Sequence, residues 1–214
     1  MIKDKWLALR VSSVALLMLG VSASVSAADV SEGEKLFNQS CQFCHQADAI
    51  GKAGFAPSLT NPELLSISSD QFYESTIRDG RIGTGMPPFA YLGKSKVKAI
   101  VKYLRSFATL PDRSKQVSAQ KKARGDVKNG EKLFFDICST CHGVNGDGYI
   151  AGGTGTAIGK AGFLNKASDG FIRTTIKEGR SNTRMLGFSG STGLASLTDQ
   201  EVDDVIVYLR SLIK

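Results

Sequence analysis

The pentapeptide C-x-x-C-H occurs twice, as Cys41-Gln42-Phe43-Cys44-His45 and as Cys138-Ser139-Thr140-Cys141-His142. This spacing is the attachment signature for c-type haem. Each thiol can form a thioether to one haem vinyl group, and a two-residue gap on a helical turn sets both sulfurs along one porphyrin edge. The adjacent histidine then supplies an imidazole nitrogen as proximal iron ligand. The two sites use all four cysteines and both histidines of the chain. A four-cysteine zinc site or a pair of redox disulfides would be the competing use of two C-x-x-C pairs. A histidine directly after each pair, inside a duplicated segment, argues for two covalently bound haems c and against zinc.

The duplication extends well past the motifs. Gly33-Glu34-Lys35-Leu36-Phe37 recurs as Gly130-Glu131-Lys132-Leu133-Phe134 at an offset of 97, which the C-x-x-C-H motifs share. Ser69, Asp70 and Phe72 match Ser168, Asp169 and Phe171 at 99, as do Ile77 with Ile176, Arg81 with Arg180 and Met86 with Met185. Tyr103-Leu104-Arg105-Ser106 returns as Tyr208-Leu209-Arg210-Ser211 at 105. Matched segments in constant order mark an internal repeat, and the drift in offset marks short insertions.

Residues 1–27 read as a cleavable export signal: Lys3, Lys5 and Arg10, then a short apolar run from Val14 to Val21, then small residues with a cut after Ala27. The run is too short and too diluted by serines to span a bilayer, which needs about 20 apolar residues. The chain is thus expected in the periplasm, where c-type haem is attached. The remainder divides into a first domain over 28–110, a basic linker over 111–125 and a second domain over 126–214. The net charge of +7 sits mainly outside the domains, with +2 in residues 1–28, +1 in 29–110, +4 in 111–125 and zero in 126–214. No basic face interleaved with aromatics is present, so nucleic acid is not an expected partner.

Each copy reads as helices joined by long loops. Ser31 and Glu34 offer a capping box for a first helix, and Thr198 and Glu201 one for the last. Gly80 and Gly179 are suited to end the helices that begin at Asp70 and Asp169. Apolar Val202, Val205, Ile206, Leu209 and Ile213 recur at helical spacing, as do Val97, Ile100, Val101, Leu104 and Phe107. No alternating strand pattern competes, so the expected fold is all-α. Pro111 to Gly125, rich in Arg and Lys and poor in apolar residues, reads as exposed.

These features together resemble class I cytochrome c: a Gly-x-x-x-Phe helix, C-x-x-C-H, a distal methionine and a final helix ending Tyr-Leu. The resemblance covers 29–110 and 126–214 and implies two tandem domains, each wrapped around one covalently attached haem. It implies that Gly33 and Gly130 let the first helix cross closely over the last, near Tyr103 and Tyr208. It also implies that Pro57, twelve residues after His45, gives its carbonyl to the imidazole N–H. The second copy has no proline between Gly152 and Phe163, so some other backbone carbonyl is expected to orient His142.

The distal ligands follow by elimination. No histidine or cysteine remains, and beyond the leader the only methionines are Met86 and Met185, 41 and 43 residues after their histidines. A lone methionine is commonly a core filler, but two at near-equal spacing from two haem sites favour ligation. Pro87 and Pro88 stiffen the first methionine loop; the second lacks them and precedes a Gly/Ser-rich stretch, so the second haem is expected to open more readily. A thioether opposite imidazole raises the potential and closes the iron to substrates. The glycine-rich run from Gly143 to Gly162 fails the phosphate-loop pattern, because Thr154 stands where glycine is required and Ala161 follows Lys160.

The leading expectation is therefore a periplasmic electron carrier, not an enzyme. It would be free or docked as the cytochrome subunit of a dehydrogenase or oxidase complex, with redox proteins as donor and acceptor. A dihaem enzyme would require release of Met185, and a zinc-stabilised interaction module is the remaining class. Lys94, Lys96, Lys98 and Lys102 mark a docking patch for an acidic redox partner, whereas the acids of the last helix suit a helix N-terminus.

Overall fold

The structure, a computed structural model, describes residues 27–190 and 195–213. The expected export signal lies outside them save for Ala27, and so does part of the Gly/Ser-rich stretch after Ser189. Helices α1 (Ala27–Ser40), α2 (Gln42–His45), α3 (Pro62–Ile67), α4 (Asp70–Asp79) and α5 (Gly93–Arg105) build the first half. A short α6 (Ser114–Ser118) follows, and then α7 (Val127–Leu133), α8 (Ser139–His142), α9 (Ala161–Leu164), α10 (Asp169–Glu178) and α11 (Asp199–Ser211). Among the described residues there is no strand, only an isolated bridge between Lys52 and Ala56. The fold is all-α.

Several local signals act as expected. Thr198 and Glu201 form a reciprocal capping box at the start of α11. Ser69 and Ser168 cap α4 and α10, which end at Gly80 and Gly179 with φ of 66° and 73°. The start of α1 differs from expectation, because the helix begins four residues before Ser31 and leaves that serine inside it. Ala27 and Ala28 are strong helix formers, and Asp29 in the first turn favours the helix dipole while pairing with Lys102 of α5.

In each half the first and last helices cross with no room for a side chain at the contact. A Cβ on Gly33 would lie 2.0 Å from the Ala99 carbonyl oxygen, and one on Gly130 would lie 1.9 Å from that of Asp204. Phe37 packs on Tyr103 with ring centroids 5.5 Å apart, and Phe134 on Tyr208 at 5.3 Å. The arginine of each Tyr-Leu-Arg-Ser repeat fastens the crossing from the far side. Arg105 donates to the carbonyls of Leu65 and Ser68 and to Asp70, and Arg210 donates to those of Leu164 and Ala167 and to Asp169. These bonds satisfy carbonyls at the ends of α3 and α9 that the short helices leave unpaired.

Asp204 sets the entry of α7. It is buried, and its carboxylate accepts from the Asp126 N–H at 2.9 Å, Asn129 Nδ2 at 2.7 Å and Gln200 Nε2 at 2.9 Å. Burial alone would raise its pKa, but these donors outweigh it and hold the carboxyl below its usual range. A carboxylate with a depressed folded-state pKa contributes stability above its unfolded pKa, and that stability is lost as pH falls through the folded value. Asp204→Ala should therefore destabilise the second half by about 2–3 kcal/mol at neutral pH. Chemical denaturation repeated from pH 7 down to pH 3 should show the gap to wild type narrowing on acidification.

The 111–125 segment is mostly exposed, as its composition suggests, but it is held against both halves rather than hanging free. Ser66 donates to the Pro111 carbonyl at 2.7 Å and Arg113 N–H to the Ser66 carbonyl at 2.7 Å, which ties its start to the first half. Val117 is 3% exposed within the second core, and its carbonyl lies where a Cβ on Gly170 would be 1.9 Å away. Ala123 N–H then donates to Asp169 at 2.9 Å. One buried valine and a run of backbone bonds suffice to lay a basic segment across both halves while its lysines stay in water.

The two halves meet at a pair of duplicate residues. Phe72 stacks on its own counterpart Phe171, with centroids 5.1 Å apart and planes 25° from parallel. A residue that meets its duplicate is the signature of an isologous contact, here within one chain. Around the stack, Ser181 donates through N–H and Oγ to Glu63 at 3.1 and 3.0 Å, and Asn61 Nδ2 donates to the Ser181 carbonyl at 3.1 Å. Arg113 forms a fork with Glu178 at 2.9 and 2.7 Å.

Candidate metal centres

Each C-x-x-C-H motif lies where the long first helix gives way to a single further turn. In the first half α1 breaks at Cys41 and α2 carries Cys44 and His45. In the second, a π-helical turn over Phe134–Cys138 carries α7 into α8, which ends on His142. Such turns re-aim side chains within a helix, often at functional sites. No disulfide joins any of the four cysteines. Burial and the neighbouring Cys44 push Cys41 up to about 11, and burial and Cys141 push Cys138 up to about 12.

The histidines are oriented by backbone carbonyls. His45 Nδ1 lies 2.9 Å from the Pro57 carbonyl oxygen, and His142 Nδ1 lies 2.7 Å from that of Thr156. A carbonyl can only accept, so Nδ1 carries the proton and Nε2 keeps its lone pair for a metal. Burial lowers the pKa of both imidazoles, which holds them in the neutral, ligating form. Thr156 answers the missing proline of the second copy. Its loop approaches because Gly155 donates to the Cys141 carbonyl at 2.7 Å and has no side chain, where a Cβ would lie 2.7 Å from the His142 ring.

The two methionines sit in loops with the same hydrogen bonds. Arg81 N–H donates to the Met86 carbonyl at 3.0 Å, and Arg180 N–H to that of Met185 at 2.7 Å. Met86 and Met185 N–H donate to Thr84 and Thr183 hydroxyls at 3.2 and 3.0 Å. Those hydroxyls donate back to the Arg81 and Arg180 carbonyls, both at 2.8 Å. Both methionines are half-buried. The second loop lacks prolines; Phe188 anchors it, 7% exposed, with its N–H donating to the Ile176 carbonyl at 2.9 Å and its carbonyl accepting from Leu197, and the half-buried counterpart Phe89 likewise donates to the Ile77 carbonyl at 3.0 Å and accepts from Leu92.

The surroundings fit a porphyrin. Ile50 and Phe55 are largely exposed on the loop after His45, and Val144 and Ile150 on the loop after His142. Large apolar side chains flanking a neutral imidazole need an apolar cover, and a flat hydrophobic macrocycle supplies it. Haem c would be held by Cys41, Cys44 and His45 in one half, and by Cys138, Cys141 and His142 in the other.

Comparison with known proteins defines the class. Residues 28–104 match the family described as cytochrome c oxidase, cbb3-type, subunit III, and residues 127–212 match the family described as cytochrome c. The chain belongs to the c-type cytochromes, with two cytochrome c-type domains in tandem and two covalently bound haems c. It is a dihaem cytochrome similar to the cbb3-type cytochrome c oxidase subunit CcoP of Rubrivivax gelatinosus, 33% identical over 70% of this chain and 45% of that protein. The FixP subunit of Bradyrhizobium diazoefficiens is 26% identical over 85% of this chain and 60% of its own length. The chain thus spans about half the length of these curated relatives. Among solved structures, a chain of the Kuenenia stuttgartiensis reducing HAO-like protein complex Kustc0457/Kustc0458 shares the fold. That match has a TM-score of 0.50 at 21% identity and covers 86% of this chain and 96% of the other.

Proposed function

We propose that this chain passes single electrons through two His/Met-ligated haems, as the cytochrome subunit of a membrane oxidase complex in an exported compartment. His45 and Met86 would hold the first iron and His142 and Met185 the second, with Cys41, Cys44, Cys138 and Cys141 as thioether anchors. The observation that carries this is the repetition in both halves of one histidine–carbonyl bond and one methionine-loop hydrogen-bond pattern. When bound, haem iron supplies a one-electron couple whose potential an opposed thioether and imidazole raise. The residues do the rest. The Pro57 and Thr156 carbonyls fix the imidazole planes, and the methionine loops close the sixth position against substrates, so the activity is electron transfer rather than turnover. Similarity to CcoP and FixP supports a docked subunit over a free carrier, and the apolar run over 14–21 with its flanking charges supports export. A redox titration with ligand-sensitive spectra tests the reading. Two haems with high potentials and no rapid carbon monoxide binding are expected; one haem, or an open ferrous site, would overturn it.

The surface charge supports an acidic donor at the first domain. The acids of α11 are all engaged: Asp199 with Lys177 at 2.7 Å, Asp203 with Arg173 at 2.7 Å, Glu201 in the capping box and Asp204 in the core. On α5, Lys102 pairs with Asp29, whereas Lys94, Lys96 and Lys98 are exposed without an ion pair among the described residues. Replacing those three lysines with glutamine should slow association with an acidic redox partner about tenfold at low salt and flatten its salt dependence. Stopped-flow reduction rates across ionic strength measure both.

A further inference from the structure

The start of α3 and the start of α9 hold the same place in the repeat, with Asn61 and Glu63 standing 99 residues before Lys160 and Gly162. Each lies against the methionine loop of the other domain. Asn61 Nδ2 donates to the Ser181 carbonyl at 3.1 Å, and Glu63 accepts from Ser181 N–H and Oγ at 3.1 and 3.0 Å. Ser181 follows Arg180, whose N–H closes its loop on the Met185 carbonyl. In the other direction Gly162 meets Ile82, the counterpart of Ser181. A Cβ on Gly162 would lie 2.6 Å from the Ile82 amide nitrogen and 2.9 Å from the Arg81 carbonyl carbon, so backbone rests on backbone. Lys166 Nζ adds a bond to the Gly80 carbonyl and a contact with Asp79, both at 3.3 Å.

Both braces stand on packed helices. Asn61 Oδ1 caps α3 by accepting from Leu64 N–H at 3.0 Å, and Pro62 fixes φ at the first helical position. One buried side chain thus caps its own helix and reaches the other domain. Arg105 holds the far end of α3 through the Leu65 carbonyl, and Arg210 holds α9 through that of Leu164. The loops have less support of their own. Residues 181–184 are exposed, and Ile82 is 76% exposed. A segment with little burial opens readily, so a fixed contact from a packed helix sets how often it does.

We propose that each methionine loop is held shut by the opposite domain: Asn61 and Glu63 position Met185, and Gly162 with Lys166 backs Met86. The inference rests on methionine ligation in both halves, and it adds that closure of either iron is shared between the domains. The two braces differ in chemistry. The first is a carboxylate accepting two bonds from one residue, which is stronger than a neutral pairing. The second is a close backbone approach that glycine admits.

The test follows carbon monoxide binding to the reduced, haem-loaded full chain. Binding waits for the thioether to leave, so its rate at each haem reports the open fraction of that loop. Met86→Ala and Met185→Ala come first, because each should remove one slow phase and so assign it. Failure to do so would sink methionine ligation, and this inference with it. Two assigned phases that the brace variants leave unmoved would overturn this inference alone. Glu63→Ala should speed the phase of the second haem about tenfold and leave the first within about threefold. Glu63→Gln, which keeps an acceptor, should recover most of that difference. Asn61→Asp keeps the α3 cap but turns a carboxylate on the Ser181 carbonyl, and it should speed the same phase. Gly162→Ala should act on the first haem instead, about tenfold, although it lies in the second domain. Should Gly162→Ala fail to load two haems, Lys166→Met decides that arm. A phase about threefold faster at the first haem upholds it, and no change removes it. A residue that merely stabilised its own domain would disturb the haem of that domain. That pattern, or equal changes at both haems, would overturn the proposal.

Discussion

Gly130→Ala should lower the melting temperature of the second domain by roughly 8–16 °C. The added Cβ would lie 1.9 Å from the Asp204 carbonyl oxygen, 2.5 Å from its carbon and 2.9 Å from Tyr208 Cβ. Two of those atoms are backbone, so no rotamer change relieves the contact and α7 must move off α11. Overpacking of this kind costs about 1–3 kcal/mol and occasionally more. Replacing a helical glycine by alanine returns about 1 kcal/mol of propensity, which leaves a net loss of about 2 kcal/mol at the upper end of that range, where a clash with backbone belongs. For a domain of this size each kcal/mol corresponds to roughly 4–8 °C. The separation also pulls Tyr208 from Phe134, whose rings lie 5.3 Å apart, so calorimetry should show the loss with near-ultraviolet dichroism changing beside it. Gly33→Ala should do the same in the first domain, where the corresponding distance is 2.0 Å to the Ala99 carbonyl oxygen. A variant melting within about 2 °C of wild type would mean that the crossing is not held by backbone contact.

The glycine at the helix crossing leaves a mark in the sequence because only one residue type fits. The same holds for the attachment motifs and for the capping box at Thr198. The carbonyl that orients His142 leaves none, since any residue could supply it. The one readable trace was the glycine density before Phe163, and Gly155 explains it as room for the imidazole ring. The interface was hidden for a different reason. Phe72 and Phe171 each sit on the apolar stripe of an ordinary helix, and a stripe does not say whether it meets its own domain or its duplicate. The 111–125 segment is as exposed as its six charged residues suggest, but composition does not show that a single valine, Val117 at 3% exposed, pins its path.

Met185→Ala should have the largest functional effect, and it separates carrier from enzyme. On the proposed ligation, removing the thioether would expose the iron that His142 holds to water, and the potential of that haem should fall by tenths of a volt, within the span of about 0.8 V that axial ligands command. Reduced protein should then bind carbon monoxide rapidly at one haem, where wild type binds it slowly or not at all. Met86→Ala should do the same at the other haem, because the two loops share one hydrogen-bond pattern. The absence of prolines near Met185 alone would make the second site the weaker. Phe188 and its counterpart Phe89 are both bonded at N–H and carbonyl, but Phe188 is the more deeply buried, and that packing holds the second loop where Pro87 and Pro88 stiffen the first. Phe188→Ala should therefore open the second haem to carbon monoxide with Met185 still present, as a loop held by packing fails when its anchor goes. Fast, stoichiometric carbon monoxide binding by the wild-type protein would mean that the loop does not close the iron, and that the second haem is a site of chemistry rather than a relay.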